Sequence, residues 1–236
     1  MEWGGSHYGD VLMRYLFTNR FGGVSEGAFF SLNLALHVND NSLHVNANRE
    51  ILREKMDVDA VVFMEQVHGD KIVRIEEAGQ TPTCDAMITN QKEIALSVMV
   101  ADCIPILFYD ARHEAIGVAH AGREGSRLGI GVKCLDAMEE AFGTRASEVQ
   151  IFMGPSIGAC CYEIGKEVSE GFDGFLHVKN KRLFLDLQTY NYKAFLERGV
   201  LVEHIDASSI CTCCDSDYFS YRREKITGRF AGVICL

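Results

Sequence analysis

Three prolines in 236 residues (Pro82, Pro105 and Pro155), and no serine- or glycine-rich linker, leave nothing along the chain to mark a domain boundary. A single domain over residues 1–236 is the simplest reading. Basic residues are also scarce: 23 lysines and arginines stand against 33 acidic side chains, a formal charge of −10, and no long basic run occurs. Sequence-independent attraction to a phosphate backbone therefore has no carrier, and nucleic acid is not an expected partner. A small anionic substrate would need a local pocket of arginines inside a repelling surface. Long apolar runs are missing too. The stretches 94–101 and 104–109 fall well short of a bilayer span. Residues 1–8 have neither a basic nor an apolar leader region, so the expectation is a cytoplasmic protein without a membrane partner. Dinucleotide and P-loop glycine patterns, repeats and low-complexity tracts are absent as well.

What is present is an ordinary globular mixture, 47% hydrophobic and 24% charged, which excludes disorder. Nine cysteines, an odd number in a chain without a leader, point to reduced thiols rather than a disulfide scaffold. Periodicity predicts a strand over 14–18, a glycine-rich loop over 19–27, and a helix over 42–56 capped by Asn41 or Ser42, with Ala47, Ile51 and Met56 on one face. Short strands follow at 60–65, 71–75, 86–89, 94–100, 104–109 and 115–119, then a helix over 126–142 and a strand over 149–153. The last third predicts helices at 166–172 and 190–197, the latter closed by Gly199, and strands at 183–187, 201–205, 219–222 and 229–234. Consecutive strands mixed with helices imply an α+β layered sandwich.

Three fragments carry candidate chemistry: Gln66-Val67-His68-Gly69, Ala101-Asp102-Cys103-Ile104-Pro105 and Ala119-His120-Ala121-Gly122. In each, a soft or borderline ligand sits at a predicted strand end beside a turn-forming residue. One thiolate and two imidazoles suit zinc, and three protein ligands leave a fourth position for water or substrate. The separations match no zinc-finger spacing, so only tertiary structure could assemble the site. Taken singly, each histidine reads equally as a hydrogen-bonded structural residue, and the cysteine as core.

Further fragments run from end to end: residues 18–25 (TNRFGGVS), 31–34 (SLNL), 48–49 (NR), 154–158 (GPSIG), 161–165 (CYEIG), 211–212 (CT), 220–223 (SYRR) and 227–229 (TGR). With the three ligand fragments, this series resembles the YfiH-type family, also called the laccase-domain or multicopper polyphenol oxidase family. The resemblance implies a four-layer α-β-β-α sandwich with mixed sheets, akin to the catalytic domain of cytotoxic necrotizing factor toxins. It implies a metal site of His68, Cys103 and His120, these residues also being catalytic, with zinc as cofactor and copper as the alternative. The activity implied is phosphorolysis of adenosine, inosine and 5′-methylthioadenosine, with adenosine deamination alongside. The partners are then a purine nucleoside and phosphate, and a homodimer is one assembly open to it. The oxidase name implies copper-dependent phenol oxidation, for which the paired His-x-His motifs are lacking.

One departure stands out. The family usually reads His-Ala-Gly-Trp-Arg-Gly, whereas here His120-Ala121-Gly122 is followed by Arg123-Glu124-Gly125. Glu124 would oppose an anion, and Arg123 could compensate. For phosphate, Arg49, Arg20 and Arg229 are candidates; for ribose hydroxyls, Asn33; for proton transfer in deamination, Glu65 or Asp102, between which the sequence does not choose. Each arginine reads equally as a solvated surface ion pair.

Cys211-Thr212-Cys213-Cys214 lacks a matching second pair of ligands, Cys160-Cys161 reads as packing in a turn, and Cys84, Cys134 and Cys235 as core. His37 and His44 read as local hydrogen-bonding residues beside a turn, and His7, His113, His177 and His204 as surface or loop positions. Two rival functions remain open: a cysteine hydrolase with Cys103 as nucleophile and His120 or His68 as base, acting on an amide such as a cell-wall precursor, and a binding protein in which the trio is inert.

Overall fold

The computed structural model describes residues 2–8 and 11–236, with side chains from Met13 onward; His7 therefore lies outside the described side chains. In chain order the elements are β1 (Glu2–Tyr8), β2 (Val11–Phe17), α1 (Ser42–Met56), β3 (Ala60–Phe63), β4 (Ile72–Arg74), β5 (Ala86–Thr89), β6 (Ile94–Val100), β7 (Ile104–Asp110), β8 (Ala115–Ala121), α2 (Arg123–Arg127), α3 (Ile130–Phe142) and β9 (Gln150–Met153). There follow β10 (Glu163–Ile164), β11 (Leu176–Lys179), β12 (Arg182–Leu185), α4 (Leu187–Arg198), β13 (Ile205–Ala207), α5 (Tyr221–Glu224) and β14 (Phe230–Cys235). One sheet has the order β1-β2-β14-β6-β3 and a second β13-β9-β7-β8-β5-β4, each mixing parallel and antiparallel pairs; β10-β12-β11 form a small third sheet.

The two-residue period of the strands builds the layers. Along β7, Leu107 and Tyr109 face a core shared with Leu96 and Val98 of β6 and Phe230 of β14, so the two large sheets pack face to face. The alternate residues Ile106 and Phe108 point the other way, onto Cys134, Leu135 and Met138 of α3 and Phe195 of α4. On the far side of the first sheet, Ala95 and Met99 of β6 and Val233 of β14 meet Leu52 and Met56 of α1. Helix, sheet, sheet and helix thus stack in that order, an α+β architecture of mixed sheets.

Several local expectations are corrected. The buried stripe of α1 is Val45, Asn48, Leu52 and Met56, one step round from the predicted face, because Asn48 enters the core to bond the backbone of Ser31 and Asn33. The helix expected over 126–142 is split between α2 and α3, since Gly129 adopts φ 78°, a left-handed conformation that glycine tolerates and that ends a helix. Residues 166–172 hold only a 3-10 turn at Lys166–Val168. Another such turn, Val202–His204, precedes β13 where a strand over 201–205 was expected. The strand expected at 219–222 is instead α5, because the Ser220 hydroxyl accepts the Arg223 N–H and caps a helix.

Candidate active site

The register of three adjacent strands brings the ligands together. β7 and β8 run antiparallel with Pro105 opposite His120, and β5 pairs with β8 so that Ala86 lies opposite Ala119. Cys103, just before β7, His120, near the end of β8, and Asp85, just before β5, therefore meet at one edge of the sheet. His68 reaches the same place from the loop after β3. One donor atom each from His68, Cys103 and His120 fall within 4.8 Å of one another, and the two imidazole rings lie 4.6 Å apart at 75°.

Asp85 organises this cluster. It is fully buried, and its Oδ1 lies 2.9 Å from Nδ1 of His120 and 2.9 Å from the backbone N of His68. Its Oδ2 accepts the N–H groups of Val67 (3.2 Å) and Gly69 (2.7 Å), and its own carbonyl accepts the His120 N–H. These bonds hold His68 at φ 60°, a left-handed conformation that is unfavourable for a side chain of its size. Gln66 fixes the other end of the loop by exchanging two side-chain hydrogen bonds with the backbone of Met99 on β6. With Nδ1–H donated to Asp85, His120 turns Nε2 towards Cys103, the orientation a metal-ligating imidazole takes when a carboxylate holds its other nitrogen.

The electrostatics are reciprocal. Burial pushes the Cys103 thiol up, but the neighbouring His120 and His68 more than offset it and bring its pKa down to about 6. Burial pushes His120 down, and the Cys103 thiolate with Asp85 outweighs this, raising it to about 9. Burial disfavours the Asp85 carboxylate as well, yet hydrogen bonds from His120, Gly69 and Val67 leave its pKa below the ordinary range. Without metal, then, Cys103 and His120 form a thiolate–imidazolium pair near neutral pH. The donor set, one sulfur and two imidazole nitrogens at one point beside an open cavity, fits zinc with a position to spare. Gly122 makes room: a Cβ there would meet Cys103 Sγ at 3.0 Å and His68 Cδ2 at 3.1 Å.

The trio opens into a cavity of about 380 Å³, within the range of small-molecule sites. Its walls carry Ile157, Tyr162 and Tyr221 as apolar and aromatic surface, and Arg123, Arg222 and Arg229 as cations. This is the local positive pocket that an acidic chain would need for an anion. Arg229 spends Nη1 on the carbonyls of Thr227 and Gly228, and its Nε and Nη2 make no hydrogen bond among the described residues. Arg222 is tied by Nη1 to the carbonyls of Cys161 and Glu163. Glu124 does not line the cavity: its oxygens accept from Arg127, at 2.6 and 3.0 Å, and its Oε2 also lies 3.8 Å from Nη1 of Arg123, which does line it.

Asn33 and Arg49, expected as substrate contacts, do not line this cavity. Asn33 is fully buried, and its amide is consumed by Ala35, Asp40 and the Arg229 N–H. Arg49 lies over the Phe63 ring at 4.0 Å with Nε on the Leu34 carbonyl, outside the cavity wall. Arg20 is likewise engaged, by Glu224 and two carbonyls. Of the two acids proposed for proton transfer, Glu65 points to Thr83 away from the cavity. Asp102 lines it, but its oxygens accept from the Thr212 hydroxyl and the Arg222 N–H at 2.7 and 2.6 Å.

The sequence did not single out Asp85, Tyr162, Tyr221 or Arg222, and His37, read as a local residue, lines the cavity. A signal for Asp85 existed: a carboxylate in the apolar run Cys84-Asp85-Ala86-Met87-Ile88 must find partners if the run is a buried strand.

Known proteins resemble this chain in sequence and in architecture. Residues 14–236 match the family model described as multi-copper polyphenol oxidoreductase laccase. A purine nucleoside phosphorylase of Corynebacterium glutamicum is 38% identical over 233 residues, covering 95% of this chain and 94% of its own. The purine nucleoside phosphorylase YlmD of Bacillus subtilis is 30% identical over 240 residues, covering 92% and 86%. Among solved structures, a Neisseria meningitidis protein of the DUF152 family superposes with TM-score 0.89 at 32% identity, covering 99% and 98%. YlmD of Geobacillus stearothermophilus superposes with TM-score 0.90 at 30% identity, covering 94% and 91%. With sequence and architecture matched over nearly its whole length, the chain belongs to the laccase-like YfiH/DUF152 family.

Proposed function

We infer that this chain is a zinc-dependent purine nucleoside phosphorylase acting at the His68–Cys103–His120 site. The observation that carries the reading is the union, in one cavity, of that donor set with arginines that hold unspent hydrogen-bond donors. The relatives named as purine nucleoside phosphorylases support it.

His68, Cys103 and His120 would hold the zinc ion, which would supply Lewis-acid chemistry at the position the protein leaves open. The protein's own residues do the rest. Asp85 keeps the proton on His120 Nδ1, so that Nε2 presents its lone pair. Arg229 and Arg123 bind phosphate and hold it against the ribose carbon, which converts a bimolecular attack into a positioned one. Tyr162, Tyr221 and Ile157 enclose the base and shed water from the reacting bond. Because Glu124 hydrogen-bonds Arg127 and touches Arg123 only as a longer, 3.8 Å ion pair, the departure from the usual Trp-Arg pair leaves Arg123 as a cation on the cavity wall.

Adenosine deamination is a secondary activity in this reading. It needs a carboxylate to carry a proton, and Asp102 is the cavity's one acid among the described residues, with both oxygens already accepting hydrogen bonds. One observation favours a second reading: the thiolate–imidazolium pair backed by Asp85 is also the equipment of a cysteine hydrolase.

Chromatography of adenosine, inosine and 5′-methylthioadenosine reactions, with and without phosphate, tests the proposal. Free base formed only with phosphate supports phosphorolysis, inosine from adenosine without phosphate identifies deamination, and unchanged nucleosides with metal bound would overturn both.

A further inference from the structure

A second cluster of metal-ligating side chains lies outside the cavity. Cys160, Cys161, Cys211 and Cys214 place their sulfurs within 4.8 Å of one another. Cys214 Sγ is 3.6 Å from Cys160 Sγ and 3.3 Å from Cys161 Sγ. These separations exceed a disulfide bond of about 2.05 Å and approach the edge, roughly 3.8 Å, of a tetrahedron with zinc–sulfur bonds of about 2.3 Å. Five of the nine cysteines belong to this region, since Cys213 follows Thr212 in the same turn.

The backbone is shaped around the sulfurs. Residues 211–214 have the Cys-x-x-Cys spacing, and a tight turn closes them: the N–H groups of Cys214 and Asp215 both bond the Cys211 carbonyl, at 3.0 and 2.9 Å. The partner loop turns the same way, with the N–H groups of Cys161 and Tyr162 on the Gly158 carbonyl, each at 3.0 Å. A parallel bridge between Ser156 and Cys211 aligns the two loops. Gly158 then donates its N–H to Cys211 Sγ at 3.2 Å, and a Cβ at Gly158 would meet Cys160 Sγ and Cys211 Cβ at 3.3 Å each. An N–H aimed at sulfur stabilises a thiolate.

We propose that Cys160, Cys161, Cys211 and Cys214 form a structural four-thiolate site for zinc that clamps the 158–161 loop to the 211–214 loop. Arg223 braces the second loop: its Nη1 donates to the carbonyls of Thr212, Cys213 and Asp215, on the backbone of the same turn. The clamp lies behind the cavity. Ile157 and Tyr162, which line it, flank the first loop; Thr212 of the second bonds Asp102, the neighbour of Cys103; and the Cys161 carbonyl accepts from Arg222. Binding releases the thiol protons and fixes that wall.

The test uses full-length protein and does not depend on the proposed activity, because its readouts are metal content and spectra. A His68→Ala/Cys103→Ser variant, lacking two ligands of the first site, is expected to retain one zinc per chain. Cobalt substitution there should give the intense sulfur-to-metal charge-transfer band of four thiolates. Adding Cys160→Ser and Cys214→Ser should abolish both. In case that variant fails to fold, an organomercurial titration of the His68→Ala/Cys103→Ser protein, read with a zinc indicator, should release one zinc as four thiols are consumed. No metal in that protein, thiols modified without zinc release, or disulfides among these cysteines in freshly purified protein would each overturn the proposal.

Discussion

Oδ1 of Asp85 lies 2.9 Å from Nδ1 of His120, and the same atom accepts the backbone N–H of His68 at 2.9 Å. One buried carboxylate thus aims one ligand through its side chain and another through its backbone. Asp85→Asn removes the charge that holds the Nδ1–H tautomer, so metal affinity should fall about 10- to 100-fold. Asp85→Ala also leaves three loop N–H groups without their acceptor, and should lower the unfolding free energy by about 3–5 kcal/mol. Metal-competition titrations and urea unfolding check the two variants.

Proton release gives a test that needs no mutation. In the metal-free protein the Cys103 pKa is near 6 and that of His120 near 9. Between these values Cys103 is already a thiolate while His120 must lose its proton, so this pair should release about one proton on zinc uptake. The apparent affinity should therefore drop roughly tenfold per pH unit as pH falls from 9 to 6, and more steeply below 6, where the thiol also competes. Calorimetry in buffers of different ionisation enthalpy reads the proton count.

Gly122→Ala probes the fit of the cluster rather than its chemistry. The backbone there has φ −76°, which alanine accepts. The new methyl would press on Cys103 Sγ at 3.0 Å and His68 Cδ2 at 3.1 Å. Metal affinity should fall while the far-UV circular dichroism stays that of the parent protein.

The two residues that replace the family's usual Trp-Arg pair should behave oppositely. Arg123→Ala removes a cavity cation, and the KM for phosphate should rise about 10- to 100-fold, the worth of one charge-assisted hydrogen bond. Glu124→Gln should leave KM unchanged or lower it, since that carboxylate hydrogen-bonds Arg127 and its one link to the cavity is a 3.8 Å ion pair with Arg123. Initial rates at varied phosphate distinguish them.

How much of this was legible in the sequence depended on whether a residue's partners were local. His68, Cys103 and His120 each sit at the end of an apolar run beside a turn, and the meeting of strand ends is what a layered sheet provides. Asp85 was legible as a carboxylate in an apolar run, but not as the partner of His120, because that pairing is set by the Ala86–Ala119 register, which the chain does not announce. The place of Asn33 off the cavity wall was hidden for the opposite reason: a polar loop inside the fold consumes its own amides, and only the closure of Arg229 onto Asn33 reveals that. The pairing of Cys160-Cys161 with the Cys211 turn was hidden by the 49 residues between them, which form β10–β13 and α4, and is set by the Ser156–Cys211 bridge. Helix α5 was lost to the β-prone aromatics Phe219, just before it, and Tyr221, although Ser220 carried the cap.

The central claim is that catalysis occurs at a cation held by His68, Cys103 and His120. The most direct measurement strips the protein of metal, adds zinc stepwise, and follows phosphorolysis of adenosine in parallel with binding. The account requires turnover to be absent at the start, to rise with occupancy of the zinc equivalent that His68→Ala eliminates, and to stop rising when that equivalent is filled. Full turnover in the stripped protein, abolished by iodoacetamide, would contradict it and make Cys103 a nucleophile instead.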